Sequence, residues 1–195
     1  MCTDSALHNK GLSPKGTLPD NKERLMLYKK FSVAFSYPEG DFFVFFPEQK
    51  KAKEELQLVY DRLFRKQELW LDTAEYIVEN EFQRVNYLSD IQGFYLAFGL
   101  KPEKARPDFL VNELEFMHYL IFKEDYAHKN SLAQAEQKAK ICQDAQKKFF
   151  ATHLYPGAKE ICHKILSFTQ NNLYLKIAKE LLEFVETEKK YLETN

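Results

Sequence analysis

The segment from Phe109 to Phe122 constrains the fold more than any other, because ten of its fourteen residues are apolar or aromatic. A helix of that composition has no polar face wide enough for solvent, so it must be central and mostly buried. Pro107 and Asp108 precede it, and both residue types are favourable in the first turn of a helix. Gly99 is a suitable C-cap for the helix before it. The sequence therefore predicts a helix, a break and a long buried helix in the middle of the chain.

The other apolar residues recur at steps of three and four, the spacing of amphipathic helices. No strand-like alternation appears, and only six Gly and seven Pro interrupt the chain. The predicted helices span residues 20–36, 48–66, 72–88, 89–99, 107–122, 132–153, 158–168 and 172–192, with Ser89 and Asp90 as a cap, a short helix or turn at FFVFF, and a turn at Pro156 and Gly157. This pattern predicts an all-α, bundle-like domain of seven to nine helices.

The first nineteen residues differ in composition from the rest. They place Gly11, Pro14, Gly16 and Pro19 among polar residues, a composition that does not offset the entropy lost on ordering. We therefore expect a flexible tail over residues 1–19, followed by a single domain over residues 20–195.

Charge and composition argue against several classes of protein. The net charge of −1 and pI of about 6.5 provide no positive field for nucleic acid. No apolar run approaches the length of a membrane span and no apolar leader is evident, so we expect a cytoplasmic protein without membrane insertion. Three Cys without a C-x-x-C pair argue against a disulfide framework. No nucleophile motif is present, so no catalytic residue and no cofactor are predicted.

Two Glu-x-x-His pairs, Glu115 with His118 and Glu160 with His163, offer an enzymatic alternative. This spacing supplies ligands to di-iron sites in helical bundles when further Glu residues face inward. Such pairs also arise by chance in a Glu-rich chain, and His118 equally suits a core histidine with a hydrogen-bonded neighbour. A scaffold that binds other proteins without any cofactor is a third reading.

Glu113 and Glu115 lie in the central helix, where an unpaired charge is costly to bury. An internal arginine such as Arg62, Arg84 or Arg106 could pair with them. Otherwise they line a groove that accepts a cationic ligand. A groove with Phe and Tyr walls and carboxylates at one end suits a peptide with arginines beside an apolar run.

Three stretches resemble one known family. The sequence YDRLF at residues 60–64 is similar to the Y-x-x-L-F motif of the TorD/DmsD/NarJ family of redox-enzyme maturation chaperones. GFYLAFGL followed by RPDFLVNELEFM resembles that family's second signature. EYIVENEFQRVNYLSDIQGFY resembles the branch that serves type II enzymes of the dimethyl sulfoxide reductase family. The resemblance covers residues 21–192.

The resemblance implies an all-helical, TorD-like cytoplasmic chaperone rather than an enzyme. Such a protein binds the catalytic subunit of an apo-molybdoenzyme, or its twin-arginine signal peptide. It supports folding and insertion of the molybdenum cofactor before assembly or export. The resemblance leaves monomer and dimer both open, and it implies no metal or cofactor held by the chaperone itself.

The resemblance also implies the residues that bind the client. The implied set is Tyr60, Leu63 and Phe64 from the first motif, Phe94 and Tyr95 from the helix before the break, and Pro107, Asp108, Glu113, Glu115 and His118 from the second signature. Phe109 departs from the family pattern, because many members have His there. This departure implies that the chain recognises its client through other contacts.

Overall fold

The structure is a computed structural model that describes residues 20–66, 69–101, 106–129 and 134–194. The predicted all-α fold is confirmed, and these residues contain no β-strand. Their α-helices are α1 (Asn21–Phe35), α2 (Phe42–Phe45), α3 (Lys53–Tyr60), α4 (Ala74–Ile77), α5 (Glu81–Ala97), α6 (Leu110–Lys129), α7 (Ala135–Phe149), α8 (Tyr155–Phe168) and α9 (Asn172–Thr194). A 3₁₀ segment (Pro47–Ala52) precedes α3, and π-helical turns follow α3 (Asp61–Arg65) and α7 (Phe150–Leu154). The predicted tail over residues 1–19 lies outside the described residues.

Helix α6 is central, as its composition predicts. It packs against α1 and α7, while α8 packs against α9. The side chains of Leu110, Leu114, Met117 and Ile121 are fully buried in the core. Burial of each such side chain contributes about 1.5–3 kcal/mol to the stability of the fold.

Several predicted helix ends are confirmed. The Asp20 side chain accepts a hydrogen bond from the Glu23 backbone N–H at 2.7 Å, which caps α1. Gly99 takes a φ of +75°, and the Leu100 N–H donates to the Tyr95 carbonyl at 2.8 Å. A side chain at Gly99 would strain that left-handed conformation, which explains the glycine where α5 ends.

The prediction of one helix over residues 72–88 and a new cap at Ser89 and Asp90 is wrong. Helix α4 ends at Ile77, and α5 runs without a break from Glu81 to Ala97. The Asn80 side chain accepts a hydrogen bond from the Gln83 N–H at 3.0 Å, so this residue starts the helix. Ser89 and Asp90 therefore lie in the middle of α5.

The predicted turn at Pro156 and Gly157 is also wrong, because the π-helical turn after α7 leads directly into α8. Pro156 lies in the first turn of α8, a position that proline tolerates well. Gly157 is needed for close packing instead. A Cβ atom added to it would lie 2.3 Å from the Cβ of Thr73.

Helix α6 begins at Leu110 rather than at Pro107, because the preceding turn pairs with residues 71–73. The Thr73 N–H donates to the Asp108 carbonyl at 2.9 Å, and the Leu110 N–H donates to the Leu71 carbonyl at 2.8 Å. These bonds form an isolated antiparallel bridge between Asp72 and Phe109. The turn before α6 is thereby fixed against the segment before α4. Among the helices described, none combines the length and apolarity that crossing a membrane requires.

Candidate functional site

The residues of the first motif pack into the core. Tyr60 and Leu63 are buried, and the Tyr60 hydroxyl donates to the Phe35 carbonyl at 3.0 Å. Burial raises the pKa of Tyr60 to about 12. The half-buried Phe64 ring lies 5.0 Å from the Tyr60 ring and 5.1 Å from the Tyr174 ring, both edge to face. These contacts tie the π-helical turn after α3 to α9.

Phe94 and Tyr95 lie near the end of α5. The half-buried Phe94 ring packs edge to face on Phe149 at 5.3 Å between ring centroids. Tyr95 is buried, and its hydroxyl donates to the Pro107 carbonyl at 2.8 Å. Burial raises the pKa of Tyr95, and the nearby Glu113 carboxyl adds to that rise. Tyr95 therefore joins α5 to the turn before α6.

Asp108 is fully buried and paired inside the chain. Its two carboxylate oxygens accept hydrogen bonds from the Arg106 Nε at 3.0 Å and Nη2 at 2.9 Å. One of these oxygens also accepts from the Ala74 N–H at 3.1 Å. Arg106, one of the arginines considered as an internal partner for Glu113 or Glu115, thus pairs with Asp108.

Glu113 is fully buried and forms no ion pair with any described residue. The Thr73 hydroxyl donates to its Oε1 at 2.8 Å, while Oε2 has no hydrogen-bond partner among the described residues. Burial raises the pKa of Glu113 well above its ordinary value. The Asp108 and Asp72 carboxylates add to this rise, and the Thr73 hydrogen bond opposes it. This shift favours the neutral, protonated form of Glu113.

Glu115 is the predicted carboxylate that meets solvent, with half of its side chain exposed. Its Oε1 lies 3.1 Å from the Lys29 Nζ, a surface ion pair between α6 and α1. Glu115 also lines a cleft of about 270 Å³ beside the C-terminal end of α5. The other lining residues are Tyr95, Leu100, Lys101, Asn112, Phe116 and Tyr119. The cleft thus combines aromatic walls with one carboxylate and one lysine.

His118 lies between α6 and α1, where its Nδ1 is 2.9 Å from the Leu25 carbonyl oxygen. This contact matches the reading of His118 as a histidine satisfied by a neighbour. Glu160 and His163 are both exposed on α8. Within the described ranges, no three His, Cys, Asp or Glu side chains are placed to hold a metal ion. The two Glu-x-x-His pairs therefore do not converge on one centre.

Sequence reasoning missed the residues that surround Asp108 and Glu113. Asp72 and Glu75 face the Arg106 guanidinium, whose Nη1 donates to the Glu75 Oε1 at 2.7 Å. Arg84 also pairs with Glu75, and these hydrogen bonds lower the pKa of Glu75. Burial, together with the Asp108 charge, raises the pKa of Asp72 to about 6. The acidic residues of segment 72–81 are the sequence signal that could have indicated these neighbours of Asp108 and Glu113.

Phe109 contributes mainly through its backbone. Its side chain is half-buried against the core, and its backbone forms the bridge with Asp72. Any residue except proline supplies the same backbone groups. The bridge therefore keeps the turn in shape with Phe109 in place.

Comparison with known protein families matches residues 37–163, well over half of the chain, to the nitrate reductase delta subunit family. The matched range contains both motifs and the cleft beside Glu115. No curated protein matches the chain. The helical fold agrees with the family resemblance of the motifs. The chain therefore belongs to the nitrate reductase delta subunit family, the family of NarJ/TorD-like chaperones.

Proposed function

We propose that this protein is a cytoplasmic chaperone, without catalytic activity, for the catalytic subunit of a molybdoenzyme. It binds the subunit or its twin-arginine signal peptide before the molybdenum cofactor is in place, and it supports cofactor insertion ahead of assembly or export. Family membership supports this role. The structural observation that carries it is the cleft with aromatic walls and the exposed carboxylate of Glu115.

The cleft suits an extended or helical segment in which apolar residues neighbour an arginine. Apolar side chains of the client pack against Leu100 and Tyr119, which are only partly buried, and burial of this surface favours binding by about 25 cal/mol per Å². A client guanidinium then donates to Glu115, since this carboxylate is half exposed. The lysine that now pairs with Glu115 is easily exchanged, because surface ion pairs contribute only about 0–1 kcal/mol.

The first test measures binding of a synthetic peptide that carries two arginines followed by phenylalanine and leucine. Glu115→Gln removes a charge-assisted hydrogen bond of roughly 1.5–3 kcal/mol, so we expect the Kd to rise about tenfold or more. Glu193→Gln on α9 is the matched control, because it makes the same change in a carboxylate that forms an exposed ion pair with Lys189. Equal affinity and equal salt dependence for the Glu115 variant and the wild type would refute the role of Glu115.

The second test is recovery of the client from the source cell. We expect the tagged chain to co-purify with a molybdoenzyme catalytic subunit that lacks its cofactor, identified by mass spectrometry. A scaffold without a link to cofactor enzymes would recover other proteins instead. Recovery of no molybdoenzyme subunit, from cells that express one, would contradict the proposed role.

A further inference from the structure

Four carboxyl groups converge between α4 and the start of α6. We call this set the carboxylate cluster; its members are Asp72, Glu75, Asp108 and Glu113. The Arg106 guanidinium lies among them, with Nη1 at 2.7 Å from Glu75, a two-pronged contact at 3.0 and 2.9 Å with Asp108, and Nε at 3.8 Å from Asp72. The cluster therefore has the planar, forked geometry that recognises a guanidinium rather than an ammonium group.

The cluster holds more carboxyl groups than arginines. Arg84 and Arg106 face four acids, and Glu113 forms no ion pair in the part of the chain that the structure describes. Glu113 is completely buried, and its Oε2 has no hydrogen-bond partner among the described residues. Thr73 joins it to the rest of the cluster, because its hydroxyl lies within 2.8 Å of Glu113 Oε1 and 3.3 Å of the Asp108 carbonyl oxygen. A guanidinium that reached Glu113 would supply the hydrogen bond that Oε2 lacks and would favour the ionised form of this carboxyl group.

Arg106 itself differs from its partners in exposure. Its side chain is 37% exposed, whereas that of Asp108 is completely buried and those of Glu75 and Asp72 are about one-fifth exposed. The guanidinium therefore covers the cluster from the solvent side. An arginine from another chain would approach along the same side and meet the same carboxylates.

The cluster is also connected to the cleft beside Glu115. The Asn112 side-chain amide, which lines the cleft, donates to the Arg106 carbonyl at 3.0 Å. The Tyr95 hydroxyl, from another lining residue, donates to the Pro107 carbonyl at 2.8 Å. A peptide that fills the cleft thus contacts two side chains that hold the backbone of Arg106 and its neighbour.

We infer that the carboxylate cluster is a guanidinium-binding site whose internal occupant is Arg106, and that an arginine of the client competes with Arg106 for it. This inference rests on the proposed function only for the identity of the competitor. Arg106 neutralises the buried Asp108 carboxylate when no client is present. Its displacement lets the same carboxylates hold the client's arginine, so Arg106 lowers the affinity of the free chaperone.

The first experiment tests the site without any client. In Arg106→Ala, ethylguanidinium at about 10 mM should raise the Tm by about 3 °C or more if it binds with a millimolar Kd. Propylammonium, which lacks the planar, forked N–H donors of a guanidinium, should raise the Tm less. The matched control is Arg65→Ala, which removes an arginine from an exposed ion pair with Asp61 and should show no guanidinium-specific rise.

If Arg106→Ala does not fold alone, the readout is recovery of its native circular dichroism when it refolds with ethylguanidinium. The double variant Arg106→Ala/Asp108→Asn also removes the charge of the carboxylate that accepts both hydrogen bonds from Arg106. It should therefore show no such recovery and no rise in Tm. An equal response to both cations, or to ethylguanidinium in all three variants, would overturn the guanidinium site.

The second experiment tests competition, with the peptide of two arginines, phenylalanine and leucine and with a copy in which lysines replace both arginines. Arg106→Gln should bind the arginine peptide about tenfold more tightly than the wild type and should gain little for the lysine copy. Equal or weaker binding of the arginine peptide would overturn the competition. The proposed function fails by a different result, the absence of a molybdoenzyme subunit from the co-purified proteins, which leaves the rise in Tm unchanged.

Discussion

Substitution of Glu113 by glutamine tests whether this residue is a neutral acid in the folded protein. Glutamine keeps the shape of the side chain and an oxygen for the Thr73 hydroxyl, but it cannot ionise. Burial and the carboxylates of Asp72 and Asp108 raise the pKa of Glu113, so the folded state holds its proton at a pH at which the unfolded chain has lost it. Wild-type stability is therefore lost as the pH rises from the unfolded pKa towards the folded one, and the glutamine variant is spared that loss.

The magnitude follows from the number of protons involved. One proton held by the folded state but not by the unfolded state changes the free energy of unfolding by about 1.4 kcal/mol per pH unit. Glu113 is fully buried, so solvent does not screen this difference. As the pH rises above 4.5, the ordinary pKa of a glutamate, the glutamine variant should therefore gain on the wild type by up to about 1.4 kcal/mol per pH unit, with the two nearly equal below that pH.

The assay is urea denaturation of both proteins at intervals of half a pH unit, analysed with a common m-value. Glu193→Gln is the matched control for the chemistry of the substitution, because that side chain is exposed. A constant difference between Glu113→Gln and the wild type at every pH would refute the reasoning. A wild type that gains on the variant with rising pH would show instead that Glu113 is ionised and has a cationic partner.

Further substitutions test the packing and the buried ionisable groups of the fold. Gly157→Ala should destabilise the fold by about 1–3 kcal/mol in urea denaturation, since its Cβ would overlap the Thr73 side chain. Gly93→Ala is the control, because its Cβ meets open space and should stabilise α5 by about 0.5–1 kcal/mol. Arg24→Met leaves the buried Glu188 unpaired and should remove about 3–5 kcal/mol by the same assay, unless Glu188→Leu accompanies it. Burial lowers the pKa of His153, so wild-type stability should fall as the pH drops below about 6.5; His153→Phe should flatten that fall in acid denaturation.

Elements determined by local composition could be predicted from the sequence. The high apolar content of α6 indicated its central position, because a helix with so few polar residues has no face that suits solvent. The Asp20 cap and the left-handed Gly99 are also local, and both are confirmed. The start of α9 at Asn172 follows from its apolar spacing in the same way. Local chemistry alone was sufficient for these features.

Features that depend on distant partners could not be predicted. Gly157 next to a proline is typical of a turn, and only the proximity of Thr73 reveals that it is needed for packing. The partners of the carboxylates were equally inaccessible. The sequence offered several arginines to Glu113 and Glu115, but Glu115 pairs with a lysine from α1, and Glu113 forms no ion pair with any described residue.

The turn before α6 belongs to the second family signature and also contacts residues that line the cleft beside Glu115, but the two sets of contacts involve different atoms. The Asp108 carboxylate binds Arg106 and the first N–H of α4, while the backbone of Phe109 pairs with Asp72. The cleft, in contrast, reaches the backbone of this turn through Tyr95, which donates to the Pro107 carbonyl, and Asn112, which donates to the Arg106 carbonyl. Substitutions in the signature should therefore alter client binding through the position of the turn and the availability of the carboxylates. The departure at Phe109 is compatible with this arrangement, because it leaves both the backbone bridge and the Asp108 carboxylate in place.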